Sequence, residues 1–226
     1  MSDPQSPKKP RGCFFYGCIT CLVLALVAAI GISLFMWFGV RALNTMVVEY
    51  TETAPMALPK ADMSPEELAK LKTRVADFAQ ALGSRTNIAP LMLTSREINA
   101  LLQDSAAVKR MQLDNKFYVD LEGNEAKTQV SLPLDQFFKL PLIHTAGRYL
   151  NGAGDLSAGI SNAVLSVNLI SFTAKGKTLP PQSMVTLQAV NFADSANNDP
   201  TNTSVFRRID SIEIKDSTLV IKAKTD

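Results

Sequence analysis

The dominant feature of the hydropathy pattern is a long apolar stretch near the N-terminus. Residues 12 to 40 carry no charged side chain, and about 20 apolar residues are enough to cross a hydrocarbon core about 30 Å thick. Tyr16 stands near one end of the stretch and Trp37 near the other, where amphipathic rings favour the headgroup level. We therefore predict a transmembrane helix over residues 13–40, with Tyr16 and Trp37 as membrane anchors.

A cleaved signal peptide is the alternative interpretation of this stretch. Its apolar region would be about 7 to 15 residues long and would end in a small-residue cleavage site, whereas this run is longer and continues into Arg41. Basic residues precede the span at Lys8, Lys9 and Arg11, while Arg41 is followed by acidic Glu49. This asymmetry predicts a single-pass protein with a cytoplasmic N-terminus and an extracytoplasmic domain.

Small residues recur at every fourth position of the span. They are Gly17, Cys21, Ala25, Ala29 and Ser33. Such a face allows two helices to approach closely. It predicts a possible helix-packing face and a homodimer through the span, although small residues are also common in spans that do not pair.

The regions around the span differ in composition. Residues 1–12 are rich in proline and polar side chains, which predicts a disordered cytoplasmic tail. After the span the helix can continue from Ala42 to Tyr50, and prolines then follow. We therefore predict a stalk over residues 41–62 and one extracytoplasmic α+β domain over residues 63–226.

The domain begins with two helix signals. Ser64 and Glu67 form a capping box ahead of apolar residues at helical spacing, and Thr94 and Glu97 form a second one. Gly83 is predicted to end the first helix in the left-handed conformation. Apolar residues on the two helices predict a possible groove for an apolar ligand, with a packed core as the simpler alternative; they are Leu71, Val75, Phe78, Ile98 and Leu102.

The period of the pattern then changes from 3.6 to 2. Alternating apolar residues on both sides of turn signals predict three antiparallel hairpins, with turns near Gly123, Asn162 and Asp216. The polar stretch 191–204 is predicted to be a loop. Helices first and hairpins afterwards indicate an α+β fold, with two helices packed on a curved antiparallel sheet.

Composition and charge narrow the possible functions. The net charge is only +2, so the chain lacks the basic excess that binding many phosphates requires, and we predict no nucleic-acid partner. The three cysteines, Cys13, Cys18 and Cys21, belong to the apolar stretch, so the domain has no thiolate ligands. His144 is the one histidine, which excludes a two-histidine metal site. We predict no catalytic, metal or cofactor residues.

One motif and one asparagine need separate treatment. Gly176-Lys177-Thr178 is similar to the end of a phosphate loop, but Ser171 occupies the position of its first glycine and Pro180 follows closely. We therefore reject a phosphate cradle. Asn99 lies within the second predicted helix, where its amide can bond a backbone group of the sheet or a ligand.

Four short segments resemble a known group of proteins. They are Leu93 to Leu102, Ser131 to Leu134, Arg148 to Gly152 and Ile212 to Asp216. The chain resembles small bacterial single-span envelope proteins of unknown function, including those of the YpmS type. The resemblance implies an envelope protein with a membrane helix and an α+β outer domain, without an established activity.

Three functional hypotheses follow. The first is a non-enzymatic binding or scaffolding module on the membrane surface, with the bilayer as a partner and with lipid or another apolar ligand as a candidate ligand. The second is an assembly or regulatory subunit of a membrane complex. The third is a hydrolase that uses His144, which we rank last because a lone histidine in a loop has no predicted catalytic partner.

Overall fold

A computed structural model describes residues 13–84, 88–137 and 141–224. Helix α1 runs from Cys13 to Tyr50, and its side chains are described from Val27 onward. From Val27 to Tyr50 this helix is long and apolar enough to cross a membrane, by length and composition. The guanidinium of Arg41 lies 5.7 Å from the ring centroid of Trp37. The helix thus continues past the predicted end of the span at Val40.

The chain divides into two compact units. The first comprises residues 1–47 and 140–144, and the second comprises residues 48–139 and 145–226. The elements of the second unit follow α1 in the order α2 (Pro65–Ser84), β1 (Leu91–Thr94), α3 (Ser95–Asp104), α4 (Ala106–Arg110), β2 (Phe117–Glu122), β3 (Glu125–Pro133), α5 (Leu134–Phe137), β4 (Tyr149–Ser161), β5 (Val164–Ala174), β6 (Lys177–Thr178), α6 (Pro181–Gln188), α7 (Asp194–Asn197), α8 (Pro200–Phe206), β7 (Ile209–Lys215) and β8 (Thr218–Ala223).

Over the described ranges, the strands form two antiparallel sheets. One has five strands in the order β2-β3-β4-β5-β6, and the other has three in the order β1-β8-β7. The α+β class is confirmed. The turns of the pairs β2–β3, β4–β5 and β7–β8 lie where the sequence predicts them. Asp216 and Ser217 both have positive φ, as a two-residue turn of this kind requires even without glycine.

Two hairpin turns are hydrogen bonded to each other. The backbone N–H of Ser217 donates to the carbonyl of Gly123 at 2.9 Å, and the N–H of Gly123 donates to the Ser217 hydroxyl at 3.0 Å. The turn of the β7–β8 pair is thereby joined to the turn of the β2–β3 pair. A serine at this position therefore contributes a bond that glycine could not make.

Both predicted capping boxes are present. At α2 the N–H of Glu67 donates to the Ser64 hydroxyl and the N–H of Ser64 donates to the Glu67 carboxylate. At α3 Thr94 and Glu97 make the same reciprocal pair. The prediction for Gly83 is wrong, because α2 continues to Ser84 and Gly83 does not have positive φ.

Two further segments differ from the sequence prediction. Residues 91–94 form strand β1, paired with β8, although the pattern indicated only the approach to a helix. The stretch 191–204, predicted as a loop, contains α7 and most of α8. In both cases the element is too short to show a period, and its long-range contacts stabilise it instead.

Within the part of the chain that the structure describes, the interior contains three apolar clusters. The first, which we call the α2 core, is built on Leu71, Leu91 and Leu93. The second is built on Leu82, Ile209 and Ile212, and the third on Leu169, Phe172 and Ala174. The α2 core joins α2 and α3 to the three-stranded sheet, because side chains of both helices and of β8 pack against it.

Glycine is required where β4 crosses Phe172. A Cβ atom added to Gly152 would lie 2.3 Å from the Phe172 ring and 2.7 Å from the carbonyl of Thr173. One added to Gly154 would lie 2.4 Å from the carbonyl of Ser171. The phenyl ring therefore occupies the space that side chains on this part of β4 would need.

The outer edge of β5 is covered by asparagine side chains. Asn191 accepts from the N–H of Val167 at 2.9 Å and donates to the carbonyl of Leu165 at 2.9 Å. Asn197 accepts from the N–H of Leu165 at 2.9 Å and donates to the same carbonyl at 2.8 Å. These amides occupy backbone groups that another strand would otherwise pair with.

Candidate functional site

The last residues of α1 and the segment that follows them are bound to the five-stranded sheet. We call residues 48–56 the junction segment; all of them belong to the second unit. Glu52 pairs with Tyr149 at the start of β4, with N–H to carbonyl distances of 2.9 and 2.7 Å in the two directions. Part of the stretch predicted as a stalk is thus paired with a strand of the domain.

Arg148 binds the end of helix α1. Its Nε donates to the Thr51 hydroxyl at 2.6 Å, and its Nη2 donates to the carbonyl of Thr51 at 2.8 Å and to that of Val48 at 3.3 Å. The last carbonyls of a helix lack partners within the helix and carry partial negative charge. A guanidinium at this point satisfies those acceptors and complements their charge.

Asn151 is the centre of the junction. Its Oδ1 accepts from the Ser131 hydroxyl at 2.8 Å and from the N–H of Met56 at 3.1 Å. Its Nδ2 donates to the Glu52 carboxylate at 2.5 Å and to the carbonyl of Ala54 at 2.9 Å. The side chain is 5% exposed, and both its donors and its acceptor oxygen are in use.

Two lysines of the β5–β6 hairpin lie beside the same segment. Lys177 forms an ion pair with Glu49 at 2.8 Å, and Lys175 donates to the carbonyl of Val48 at 3.4 Å. The hydrogen bond to Glu49, together with the charge of that carboxylate, raises the pKa of Lys177. The junction segment therefore has a buried polar side and an exposed ionic side.

The chemistry of this arrangement is that of attachment. Thr51, Ser131 and Asn151 are all buried, and the bonds just described use their polar groups on each other and on the backbone. Among the residues that the structure describes, no group of three or more histidine, cysteine, aspartate or glutamate side chains could hold a metal ion. What the site does is hold the chain in place immediately after the apolar helix.

The predicted membrane residues lie on α1. The side chains of Tyr16, Gly17, Cys21 and Ala25 lie outside the described part of the chain. Those that are described, Ala29, Ser33 and Trp37, are exposed. The Ser33 hydroxyl donates to the carbonyl of Ala29 at 2.7 Å, so its polar group is satisfied within the helix. The homodimer through this face stays a prediction.

The residues of the predicted apolar groove belong mainly to the α2 core. Leu71 is 4% exposed, and three others pack against its cluster: Val75, Phe78 and Ile98. Leu102 is half-buried. These side chains fill the space between the helices and strands β1 and β8, which favours the packed-core alternative. Ligand binding at these residues stays a prediction.

The two polar residues singled out in the sequence have separate roles. Asn99 is 1% exposed; its Nδ2 donates to the carbonyls of Ser95 and Val119, and its Oδ1 accepts from the N–H of Val119. It therefore ties α3 to β2. His144 is exposed, and its backbone N–H and its Nδ1 both contact Oδ1 of Asn44, at 2.8 and 3.2 Å.

Sequence reasoning missed Thr51, Arg148 and Asn151 as a group. Arg148 and Asn151 stand within one of the four segments that carry the resemblance, but nothing in that segment indicates their partners. Arg148 binds Thr51 and Asn151 binds Glu52, and in each pair the two residues are 97 or more positions apart in the sequence. The available signal was a polar residue at Asn151 in a strand with buried neighbours.

Comparisons with known proteins identify no relative of this chain. No protein-family model, no curated protein and no solved structure matches this chain. The resemblance to single-span envelope proteins of the YpmS type therefore stays a prediction.

Proposed function

We propose that this protein is a membrane-anchored extracytoplasmic module that binds or scaffolds other molecules without being an enzyme. The observation that carries the proposal is the exposed apolar surface of α1. Phe35 is 81% exposed, Ile32 62% and Trp37 55%. Moving each large apolar side chain from water to an apolar medium yields about 1.5–3 kcal/mol. A bilayer supplies that medium along about 20 residues of the helix.

The junction segment supports the scaffolding part of the proposal. The second unit begins at Val48, only a few positions after Arg41 at the end of the charge-free run. Arg148 and Asn151 hold the next residues to β3 and β4. A domain attached in this way stays near the bilayer, which suits a protein that presents a surface there. Two helices packed on a curved sheet remain our proposed description of that surface.

Membrane extraction tests the anchor. The full chain is expected to stay in the membrane pellet after alkaline carbonate treatment and to be released by detergent. Release by carbonate alone would contradict an integral span. A variant with Val27→Lys and Ile30→Lys is the matched control, because charges at the centre of a span are unfavourable and these two leave no uncharged stretch of about 20 residues; we expect it to appear in the carbonate supernatant.

Labelling of intact cells tests the orientation. With the three native cysteines replaced by serine, a cysteine at Ser217, an exposed turn residue, is expected to react with a membrane-impermeant maleimide. A cysteine at Ser6 is expected to react only after lysis. The reverse pattern would place the domain in the cytoplasm.

Mass spectrometry tests the lipid or apolar ligand. If lipid binds at the α2 core, the full chain released from native membranes into a mild detergent will retain it, and Val75→Trp will displace it, because the larger ring would occupy the position of the lipid beside Leu71. Equal lipid retention by the variant and the native chain would contradict binding at the α2 core.

An assembly or regulatory subunit is the second candidate. It is favoured by apolar side chains exposed around α6, where Val185 is 67% and Phe192 54% exposed. Crosslinking in intact membranes is expected to yield a product of fixed stoichiometry if the chain is a subunit. A ladder of unrelated products would favour the first proposal. The hydrolase hypothesis stays a prediction, and retention of the cellular phenotype by His144→Ala would end it.

A further inference from the structure

A short loop of the first unit is hydrogen bonded to α1 just beyond the charge-free run. We call residues 141–144 the Leu142 loop. Nδ2 of Asn44 donates to the carbonyl of Leu142 at 3.0 Å, and Oδ1 of Asn44 accepts from the N–H of His144 at 2.8 Å. The single side chain of Asn44 therefore bonds the loop both before and after residue 143.

Leu142 has two energetically unfavourable features, an exposed apolar side chain and a strained backbone conformation. It is 67% exposed, and its backbone has φ of 72°, in the left-handed region that residues other than glycine, asparagine and aspartate seldom adopt. Such a conformation costs on the order of 1–3 kcal/mol and persists where surrounding contacts impose it. The bonds from Asn44 to the carbonyl of Leu142 and to the N–H of His144 hold the loop in this conformation, in which the Leu142 side chain is exposed.

The helix around Asn44 presents the same kind of surface. Leu43 is 47% and Met46 41% exposed, and Arg41 is the one charged side chain between residues 13 and 48. The apolar run thus exceeds the roughly 20 residues that cross the hydrocarbon core. A span longer than the core tilts, and a basic side chain near its end extends toward the headgroups. Both responses bring Asn44, about 10 Å beyond Trp37 along the helix, to the headgroup level.

We propose that the Leu142 loop is a second membrane contact, with the side chain of Leu142 inserted between the lipids of the bilayer that α1 spans. The occupant of this surface is lipid, because Leu142, Leu43 and Met46 offer apolar groups beside a single cation, Arg41, which complements lipid phosphate. The inference rests on the proposed anchor and adds a second point of contact to it.

Tryptophan quenching by brominated lipid tests this contact. Trp37 is the one tryptophan of the chain, so Trp37→Phe with Leu142→Trp moves the probe to the loop. The full chain is reconstituted in phosphatidylcholine vesicles with bromine on the acyl chains. The probe at position 142 is expected to be quenched relative to vesicles without bromine and to emit at shorter wavelength than tryptophan in water.

Two controls separate the loop from the anchor. The native chain reports on Trp37, and its quenching tests the span itself. Trp37→Phe with Met92→Trp places the probe at a residue of the second unit that is 57% exposed, and it is expected to be unquenched. Quenching of Trp37 without quenching at position 142 would overturn the loop contact and leave the anchor standing. Equal quenching at positions 92 and 142 would also overturn it, because the contact would not be specific to the loop.

Removing the hydrogen bonds between Asn44 and the Leu142 loop gives an independent test. Asn44→Ala in the position-142 probe chain deletes the bonds to Leu142 and His144 and is expected to reduce quenching at position 142. The matched variant Thr45→Ala alters the neighbouring helix residue, whose hydroxyl bonds only the carbonyl of Arg41 among the contacts resolved for it, and is expected to keep it. Circular dichroism of every variant checks the fold. Unchanged quenching in the Asn44→Ala chain would overturn the role of Asn44.

Discussion

The α2 core and the junction segment each attach part of the chain to a sheet, the first through apolar contacts and the second through polar ones. The α2 core is built on Leu71, Leu91 and Leu93, whereas the junction uses buried Thr51 and Asn151. Apolar packing is non-directional and scales with buried area. A buried polar network is directional, and each unpaired member carries a desolvation penalty. The core specifies that the parts associate, and the junction specifies which atoms meet.

The largest effect is expected in the core. Leu71→Ala removes a side chain that is 4% exposed, so it should lower the free energy of unfolding by about 2–5 kcal/mol. Urea denaturation of the full chain in detergent measures this. Met92→Ala, at an exposed residue of β1, is the matched control and should change it by less than about 0.5 kcal/mol. A similar loss in both variants would contradict the packing described for Leu71.

Breaking the junction should have the next largest effect. The N–H of Met56 also donates to the Ser131 hydroxyl at 3.1 Å. Asn151→Ala leaves it with that acceptor alone and leaves Glu52 and Ala54 without their amide donor, so we expect the free energy of unfolding to fall by about 1–3 kcal/mol. Hydrogen exchange at Met56 should accelerate as well. Asn198→Ala, at an exposed asparagine, should do neither. Unchanged exchange at Met56 in Asn151→Ala would show that the junction does not depend on this side chain.

A pH series probes the polar cap of the core region. Burial alone raises the pKa of Glu97, but the N–H of Thr94 and the guanidinium of Arg74 outweigh it, and the net pKa is lowered. A lowered folded-state pKa stabilises the protein above the unfolded value of about 4.3, and that stability is lost as the pH falls below it. Glu97→Gln should therefore flatten the acid side of the stability profile. An unaltered profile would contradict the role of this carboxylate.

The smallest effect is expected at the exposed side of the junction. The ion pair of Lys177 with Glu49 is accessible to water, where side-chain entropy and salt offset most of its attraction. Lys177→Met should leave the unfolding midpoint within error at moderate salt, and so should Glu49→Gln. A clear loss in either variant would show that the ionic side of the junction contributes as much as the buried side.

What could be predicted from the sequence followed from local rules. Ser64 with Glu67 and Thr94 with Glu97 mark helix starts, and the turn signals at Gly123 and Asn162 mark hairpins, because each pattern reflects contacts between near neighbours in the chain. The length of the apolar stretch likewise indicates a helix that can cross a membrane. These features are enough to predict the α+β class, but they do not predict the hydrogen bonds of the junction segment.

What the sequence did not show depends on distant partners. Arg148 and Thr51 are 97 positions apart, and no periodicity links them. Residues 91–94 become a strand only because β8 is there to pair with. Gly83 stays helical beside Arg208, whose guanidinium donates to the carbonyl of Leu82 at 2.8 Å, so a side chain from elsewhere supplies what a left-handed cap would have provided.

If α1 anchors the chain in a membrane, as we propose, the covered edge of β5 has a consequence for neighbouring copies of the protein. Anchored molecules diffuse in two dimensions, so neighbouring copies meet far more often than they would in free solution. An open strand edge would then recruit a second copy and begin aggregation. Asn191 and Asn197 occupy the backbone groups of Leu165 and Val167, so crowding of this domain along a membrane does not extend its sheet from one molecule to the next at these residues.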